Sequence, residues 1–281
     1  MTGYLTSMGS SDESTITVLG HDLAGELMGQ VGFAELAFWL VALRRPSPGE
    51  RRLFEAVLVA LAEHGLTPSA IAARLTLTGA PESVPGAVAA GLLGGGSRFL
   101  GVTEDAGRFL ADALAVHGGP AAPGSGTESD GADFDGADFD DADFDMVARR
   151  ALTAWRAAGA GPVPGLGHNV HRGGDPRTPV LLRIADEEGL RGPHLRLFEA
   201  VGRVHPEVLG RTLPLNGAGA GGAVLCDLGF PVSALRGFAL LARTAGLLGH
   251  IAEEMRRPIG RSIFEDVDRA ADYQPPPAPA G

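Results

Sequence analysis

Apolar residues recur along most of the chain at intervals of three and four, the period of an α-helix with one buried face. In ERRLFEAVLVALAEHG (50–65), Leu53, Phe54, Val57, Leu58 and Leu61 share one face, and Gly65 supplies a stop. PVSALRGFALLARTAGLLGHIAEEMRR (231–257) carries Leu235, Phe238, Leu241, Leu248, Ile251 and Met255 along a broad stripe. PHLRLFEAVGRV gives a shorter helix. Alternation of period two is scarce, and STITVLG (14–20) is its best instance. The pattern predicts an all-α chain whose helices are separated by many Gly and Pro breaks.

Three segments lack either period. Residues 1–15, rich in Ser, Thr and Gly, are expected to be mobile, and 271–281, with its prolines, is expected to be a disordered tail. GADFDGADFDDADFD (131–145) repeats every five residues, with dense acids and single phenylalanines. With GGPAAPGSGTESD before it, the stretch at about 121–145 reads as a disordered acidic insertion. EF-hand spacing and its closing Glu are absent, so calcium binding is not expected there.

Composition narrows the chemistry. All 23 basic residues are arginine, which excludes Schiff-base catalysis and a lysine-bearing phosphate loop. Any positive charge at a site must come from planar guanidinium groups, which suit carboxylates and phosphates. Residues 128–145 hold nine acids and no bases, so without them the net charge is −2 rather than −11. No footprint for nucleic acid remains. No apolar run reaches bilayer length, no signal peptide is visible, and Cys226 is alone among 281 residues. A cytoplasmic protein without a membrane partner is expected.

Among motifs, GAGAGG (217–222) fits G-x-G-x-x-G by letters, but RTLPLN precedes it where a dinucleotide fold needs a hydrophobic strand. Its small residues read better as a helix making a close approach. G-x-S-x-G, H-E-x-x-H and paired cysteines are absent, so neither a serine hydrolase nor a metal site is expected. GPVPGLGHNVHRGGDPR (161–177) stands out. It places His168, His171, Arg172, Asp175 and Arg177 among glycines and prolines, where backbone N–H groups can approach a flat ligand.

These residues resemble the citrate synthase family, and most of all its short citryl-CoA-lyase-like members, over roughly 16–265. HDLAGELMGQVGFAELAFWLVALRRPSPGERRLFEAVLVALAEHGLTPSAIAARL (21–75) resembles the N-terminal core. PGLGHNVHRGGDPR resembles the glycine–histidine loop, with nine residues from His168 to Arg177. LPLNGAGAGGAVLCDLGFP sits where the family has a Pro-Asn-x-Asp segment, and FALLARTAGLLGHIAEEMRRPIGRSIF resembles the closing helix. The resemblance implies a two-domain helical fold with its active site in the interdomain cleft. Residues 16–105 and 233–270 would form the large domain and 106–232 the small one. It also implies a homodimer that joins or splits a carbon–carbon bond between acetyl-CoA and oxaloacetate, with a coenzyme A thioester as co-substrate and no permanently bound cofactor.

Carried over by position, His168 would donate to the keto acid carbonyl. His64 and Arg177 would hold one carboxylate, Arg243 would grip another, and Arg257 would reach in from the partner subunit. Arg172 would meet coenzyme A phosphate, and Gly165, Leu166 and Gly167 would offer backbone to its adenine. Taken singly, each residue also has a plainer reading. Arg243 and Arg257 could belong to a solvated helix face, Arg177 could staple a turn on Asp175, and His64 could answer a helix dipole.

Two family groups have no counterpart. The enol-stabilising histidine falls at Gly94 in GLLGGGS, and the aspartate base falls at Ala218, or at Gly217 if the register slips by one. The expectation is therefore a citrate synthase-like acyltransferase or lyase with impaired catalysis. The alternative is a non-catalytic member that binds a di- or tricarboxylate or coenzyme A, as a partner of an active paralogue.

Overall fold

The computed structural model describes residues 3–117 and 140–276. In chain order it contains β1 (Gly9–Ser11), β2 (Ile16–Val18), β3 (His21–Asp22), a π-helical turn (Leu23–Leu27), α1 (Phe33–Ala42), α2 (Pro48–Ala62), α3 (Pro68–Gly79), α4 (Val84–Leu100), α5 (Val102–His117), α6 (Asp141–Ala157), α7 (Arg177–Glu187), α8 (Pro193–Leu209), α9 (Gly217–Asp227), α10 (Val232–Arg256) and α11 (Gly260–Ala270). The fold is all-α, apart from one short antiparallel sheet of order β1-β2-β3. None of the described helices is long and apolar enough to cross a membrane.

The chain divides into two compact units, Met1–Leu61 with Gly101–Ala239, and Ala62–Leu100 with Leu240–Gly281. In unit 1, Phe38, Phe54, Phe230 and Phe238 interlock edge-on or tilted, with centroids 4.5–5.6 Å apart. The expected face of α2 is the buried one, with Leu53, Phe54 and Val57 wholly inaccessible. The small residues of α9 make the close approach anticipated for them. A Cβ on Gly222 would lie 2.3 Å from the Thr103 carbonyl oxygen on α5, and one on Gly219 would lie 2.5 Å from the Gly165 Cα. Asp227 ends α9 and caps a different helix, accepting from the backbone N–H of His194 and Leu195 at the start of α8, both at 2.9 Å. The Cys226 thiol is pushed up to about 12 by burial and by Asp227 beside it, so it is inert at neutral pH.

Unit 2 rests on a tight crossing of α3 and α4. Ser69 donates its hydroxyl to the Gly91 carbonyl at 2.6 Å, and Ala73, Leu77, Ala87, Leu247 and Ile251 close a small core. Gly91, Gly94 and Gly95 face this crossing. A Cβ on Gly94 would meet that of Ala72 at 2.8 Å.

Three expectations change. Gly9–Ser11, inside the segment read as mobile, pairs with β2. The acidic repeat divides: its residues before Asp140 lie outside the described residues, whereas Asp140 caps α6 and Asp141–Asp145 form its first turn. Phe144 is fully buried, stacks under Arg196, and is flanked by Asp145 pairing with Arg203. One hydrophobic ring per repeat suffices to fold the last copy, because an arginine-bearing helix is there to receive it. Lastly, Leu248 and Met255 are 49% and 58% exposed, while Leu247 and Glu254 are buried in their place. In the second half of α10 Ile251 is buried as expected, while the positions flanking it shift by one: Leu247 packs with Ile251 in the apolar core, and Glu254 pairs with buried Arg74.

Candidate active site

The glycine–histidine loop is built in unit 1 by its exchange with the segment entering α9. Gly167 N donates to Pro214 O at 2.7 Å and Asn216 N to Gly165 O at 2.9 Å, forming a two-residue antiparallel bridge. Gly165 and Gly167 both have φ of +85°, a conformation glycine adopts without strain. Asn216 joins both sides. Its Nδ2 donates to Gly167 O at 2.8 Å, and its Oδ1 accepts from Gly219 N at 2.9 Å to cap α9. Sequence reasoning passed over Asn216 as a site-builder, although an Asn just before a small-residue helix is a cap signal. Within the loop, the N–H of Leu166 and Gly167 and the carbonyls of Gly165 and Gly167 are all engaged inside the unit.

His168 follows directly. Its Nδ1 accepts from the backbone N–H of Val170 at 3.1 Å and of His171 at 3.0 Å. An accepting nitrogen carries no proton, so the ring's N–H lies at Nε2. That edge faces Asp175, with Nε2 4.0 Å from Oδ2. The His171 ring lies alongside, with centroids 4.5 Å apart.

Asp175 is 3% exposed and organises the rest. Oδ1 accepts from Arg177 N and Nε at 3.1 and 2.9 Å, and Oδ2 accepts from Arg177 Nη2 at 2.7 Å and Gly217 N at 2.8 Å. Burial works to raise its pKa, but the Arg177 guanidinium and the two backbone N–H groups outweigh it and hold the carboxyl well below the usual range. Arg177 also donates Nη1 to Ala60 O at 3.0 Å. Its guanidinium plane is thus fixed before any ligand arrives. A Cβ on Gly217 would stand 2.7 Å from Arg177 Nε, whereas Ala218, next along α9, is partly exposed. Arg172 is exposed at the loop's outer bend.

The remaining expected residues belong to unit 2. His64 is half-buried just after α2. Arg243 is 6% exposed on α10, with Nη1 3.6 Å from Glu63 Oε2. Arg257 is exposed just past α10, its N–H bonded to Glu253 O at 2.7 Å. Unit 1 therefore gathers His168, Asp175, Arg177 and the start of α9, and unit 2 places Arg243 beside the residue preceding His64.

A profile described as citrate synthase, C-terminal domain, matches residues 20–263 of this chain. The chain belongs to the citrate synthase family. Among solved structures, citryl-CoA lyase from Hydrogenobacter thermophilus is similar at 28% identity and a TM-score of 0.79, over 99% of this chain and 96% of that one. An aspartate-to-alanine variant of Methanosaeta concilii ATP citrate lyase, in complex with (3S)-citryl-CoA, shares the fold at 20% identity and a TM-score of 0.74. It matches 98% of this chain but only 42% of its own. Citrate synthase from Thermoplasma acidophilum, in a ternary complex with carboxymethyl coenzyme A and oxaloacetate, follows at 17% and 0.60, over 81% of this chain and 54% of its own.

The two positions at which the resemblance leaves a family group without a counterpart differ in their surroundings. At α9, a side chain at Gly217 would run into Arg177, whereas Ala218 is partly exposed. At α4, a Cβ on Gly94 would come within 2.8 Å of the Ala72 methyl, at a position that is otherwise exposed.

Proposed function

We propose that this chain is a citrate synthase-like acyltransferase or lyase that binds acetyl-CoA with oxaloacetate, or citryl-CoA, and turns them over slowly. The observation that carries the reading is the fixed Nε2–H edge of His168 beside the pre-set Asp175–Arg177 pair, with alanine at 218 on the adjoining helix start. In cleavage, the citryl hydroxyl loses its proton and becomes the oxaloacetate carbonyl. The C–C bond breaks, its electron pair passes to the acetyl thioester as an enolate, and that enolate takes up a proton. In synthesis each step reverses. His168 would donate to the oxygen that gains or loses charge, and its donor edge needs no reorganisation to do so. Arg177, Arg243 and His64 would hold carboxylates, Arg172 the coenzyme A phosphate, and Arg257 would act across a homodimer.

Without a base at 218, proton transfer at carbon loses a factor of about 10²–10⁴. A second reading, a non-catalytic binder of carboxylate or coenzyme A ligands, is favoured by Gly94, where a Cβ would crowd the Ala72 methyl at 2.8 Å.

The test is a coupled assay in both directions on the wild type and Ala218→Asp, with melting curves in citrate, oxaloacetate and coenzyme A. Ligand is expected to raise the melting temperature by mass action on the folded state. Ala218→Asp is expected to raise a low wild-type rate by about 100-fold. No rate in either protein, with ligand-induced stabilisation intact, would establish the binder. A wild-type rate unaffected by Ala218→Asp would show that another group is the base.

A further inference from the structure

Unit 2 contains a line of charged groups that the reading above leaves unused. Arg74, on α3, is 1% exposed. Its Nη1 donates to Glu254 Oε2 at 2.9 Å and its Nη2 to Glu253, while Nε and Nη2 both reach Nδ1 of His250, at 3.1 and 2.9 Å. A guanidinium has only donors, so Nδ1 of His250 is an acceptor and the ring's N–H lies at Nε2. Nε2 is 3.0 Å from Oε1 of Glu63. Oε1 also accepts from Gly65 N, and Oε2 faces Arg243 Nη1 at 3.6 Å. Arg243 and His250 are seven residues, two turns, apart on α10, and so share one face.

Glu253 and Glu254 already balance the charge of Arg74, so neutralising it is not what an imidazole at 250 supplies. What it supplies is direction: an acceptor on the edge facing Arg74 and a donor on the edge facing Glu63. We propose that His250 is a positioning residue for the carboxylate-binding end of unit 2. It fixes the orientation of the Glu63 carboxylate, and Glu63 in turn sets the plane of the Arg243 guanidinium and the backbone around His64. This deepens the function proposed above and rests on Arg243 gripping a carboxylate.

Citrate and oxaloacetate binding, measured calorimetrically on the full chain, tests it with five variants. His250→Asn keeps an acceptor for Arg74 and loses the donor to Glu63. His250→Gln places an amide donor near the Nε2 position. Glu63→Gln alters a half-exposed group, and the His250→Asn/Glu63→Gln pair and Arg243→Ala complete the set. We expect His250→Asn and Glu63→Gln each to weaken binding about tenfold, the pair to be no weaker than either alone, and His250→Gln to restore most of the affinity. A residue that served only to hold Arg74 would leave His250→Asn unaffected. Wild-type affinity in His250→Asn and Glu63→Gln, with binding abolished in Arg243→Ala, overturns the positioning role alone. Wild-type affinity in Arg243→Ala, or no binding of either acid by the wild type, overturns the carboxylate reading and this role with it. If His250→Asn does not fold, Glu63→Gln and His250→Gln decide the matter on the same criteria.

Discussion

Gly94→His, the change that the family resemblance suggests, is expected to cost stability without gaining activity. The first atom added, Cβ, would stand 2.8 Å from the Ala72 Cβ and 3.4 Å from the Pro68 carbonyl oxygen. Both belong to α3, a backbone-anchored helix that cannot turn aside as a long side chain could. Replacing a helical glycine by histidine gains about 0.4 kcal/mol of helix propensity. Overpacking a rigid crossing costs about 1–3 kcal/mol, and here it falls in the middle of that range, because the crowded atom is the Cβ while position 94 is otherwise exposed. The net loss is about 1.5 kcal/mol, or roughly 3–6 °C in melting temperature for a chain of this size. Scanning calorimetry measures the shift, and the acetyl-CoA/oxaloacetate assay measures any gain in rate. Ala72→Gly removes the opposing methyl, so the Ala72→Gly/Gly94→His pair is expected to recover about 1 kcal/mol relative to additivity. A Gly94→His protein that melts at or above the wild-type temperature would refute the packing argument. So would strict additivity in the pair.

Other outcomes follow from single contacts. Asp175→Asn is expected to cost about 3 kcal/mol, because Arg177 loses a bidentate acceptor at a buried site. The folded-state pKa of Asp175 is depressed, so its stabilisation is full above about pH 4 and is lost as pH falls further. The difference in urea midpoint between wild type and Asp175→Asn should therefore shrink on acidification, and a constant difference would contradict it. Phe144→Ala is expected to cost about 3–5 kcal/mol by chemical denaturation, since the ring is fully buried; no loss would mean the last acidic repeat does not fold. Leu43 closes α1 with φ of 55° and is 60% exposed, so Leu43→Gly should raise the urea midpoint by about 0.5–1 kcal/mol of stability.

What could be read in advance depended on whether a residue's role is local. The loop at 161–177 declared itself because positive φ at Gly165 and Gly167 and a pre-proline turn leave a mark in residue type. The face of α2 was legible for the same reason, since apolar spacing is a property of one helix. The second half of α10 was not. Its buried positions are set by the apolar core around Ala73 and Leu77 and by Arg74, more than 170 residues earlier, which pairs with Glu254 and His250. Phe144 misled because its surroundings in sequence are acidic, while its surroundings in space are α8 and Arg196.

The sequence by itself determined the helical class, the family, the loop that carries His168, and the absence of histidine and aspartate at two family positions. These are matters of periodicity and of which side chains exist. Only the tertiary structure decided what those absences mean. Ala218 is partly exposed on the helix whose first residue abuts an arginine fixed by Asp175, whereas a side chain at Gly94 would begin in contact with the Ala72 methyl of the neighbouring helix. The letter G does not say which atoms a side chain would meet at its position; the neighbouring helix decides that.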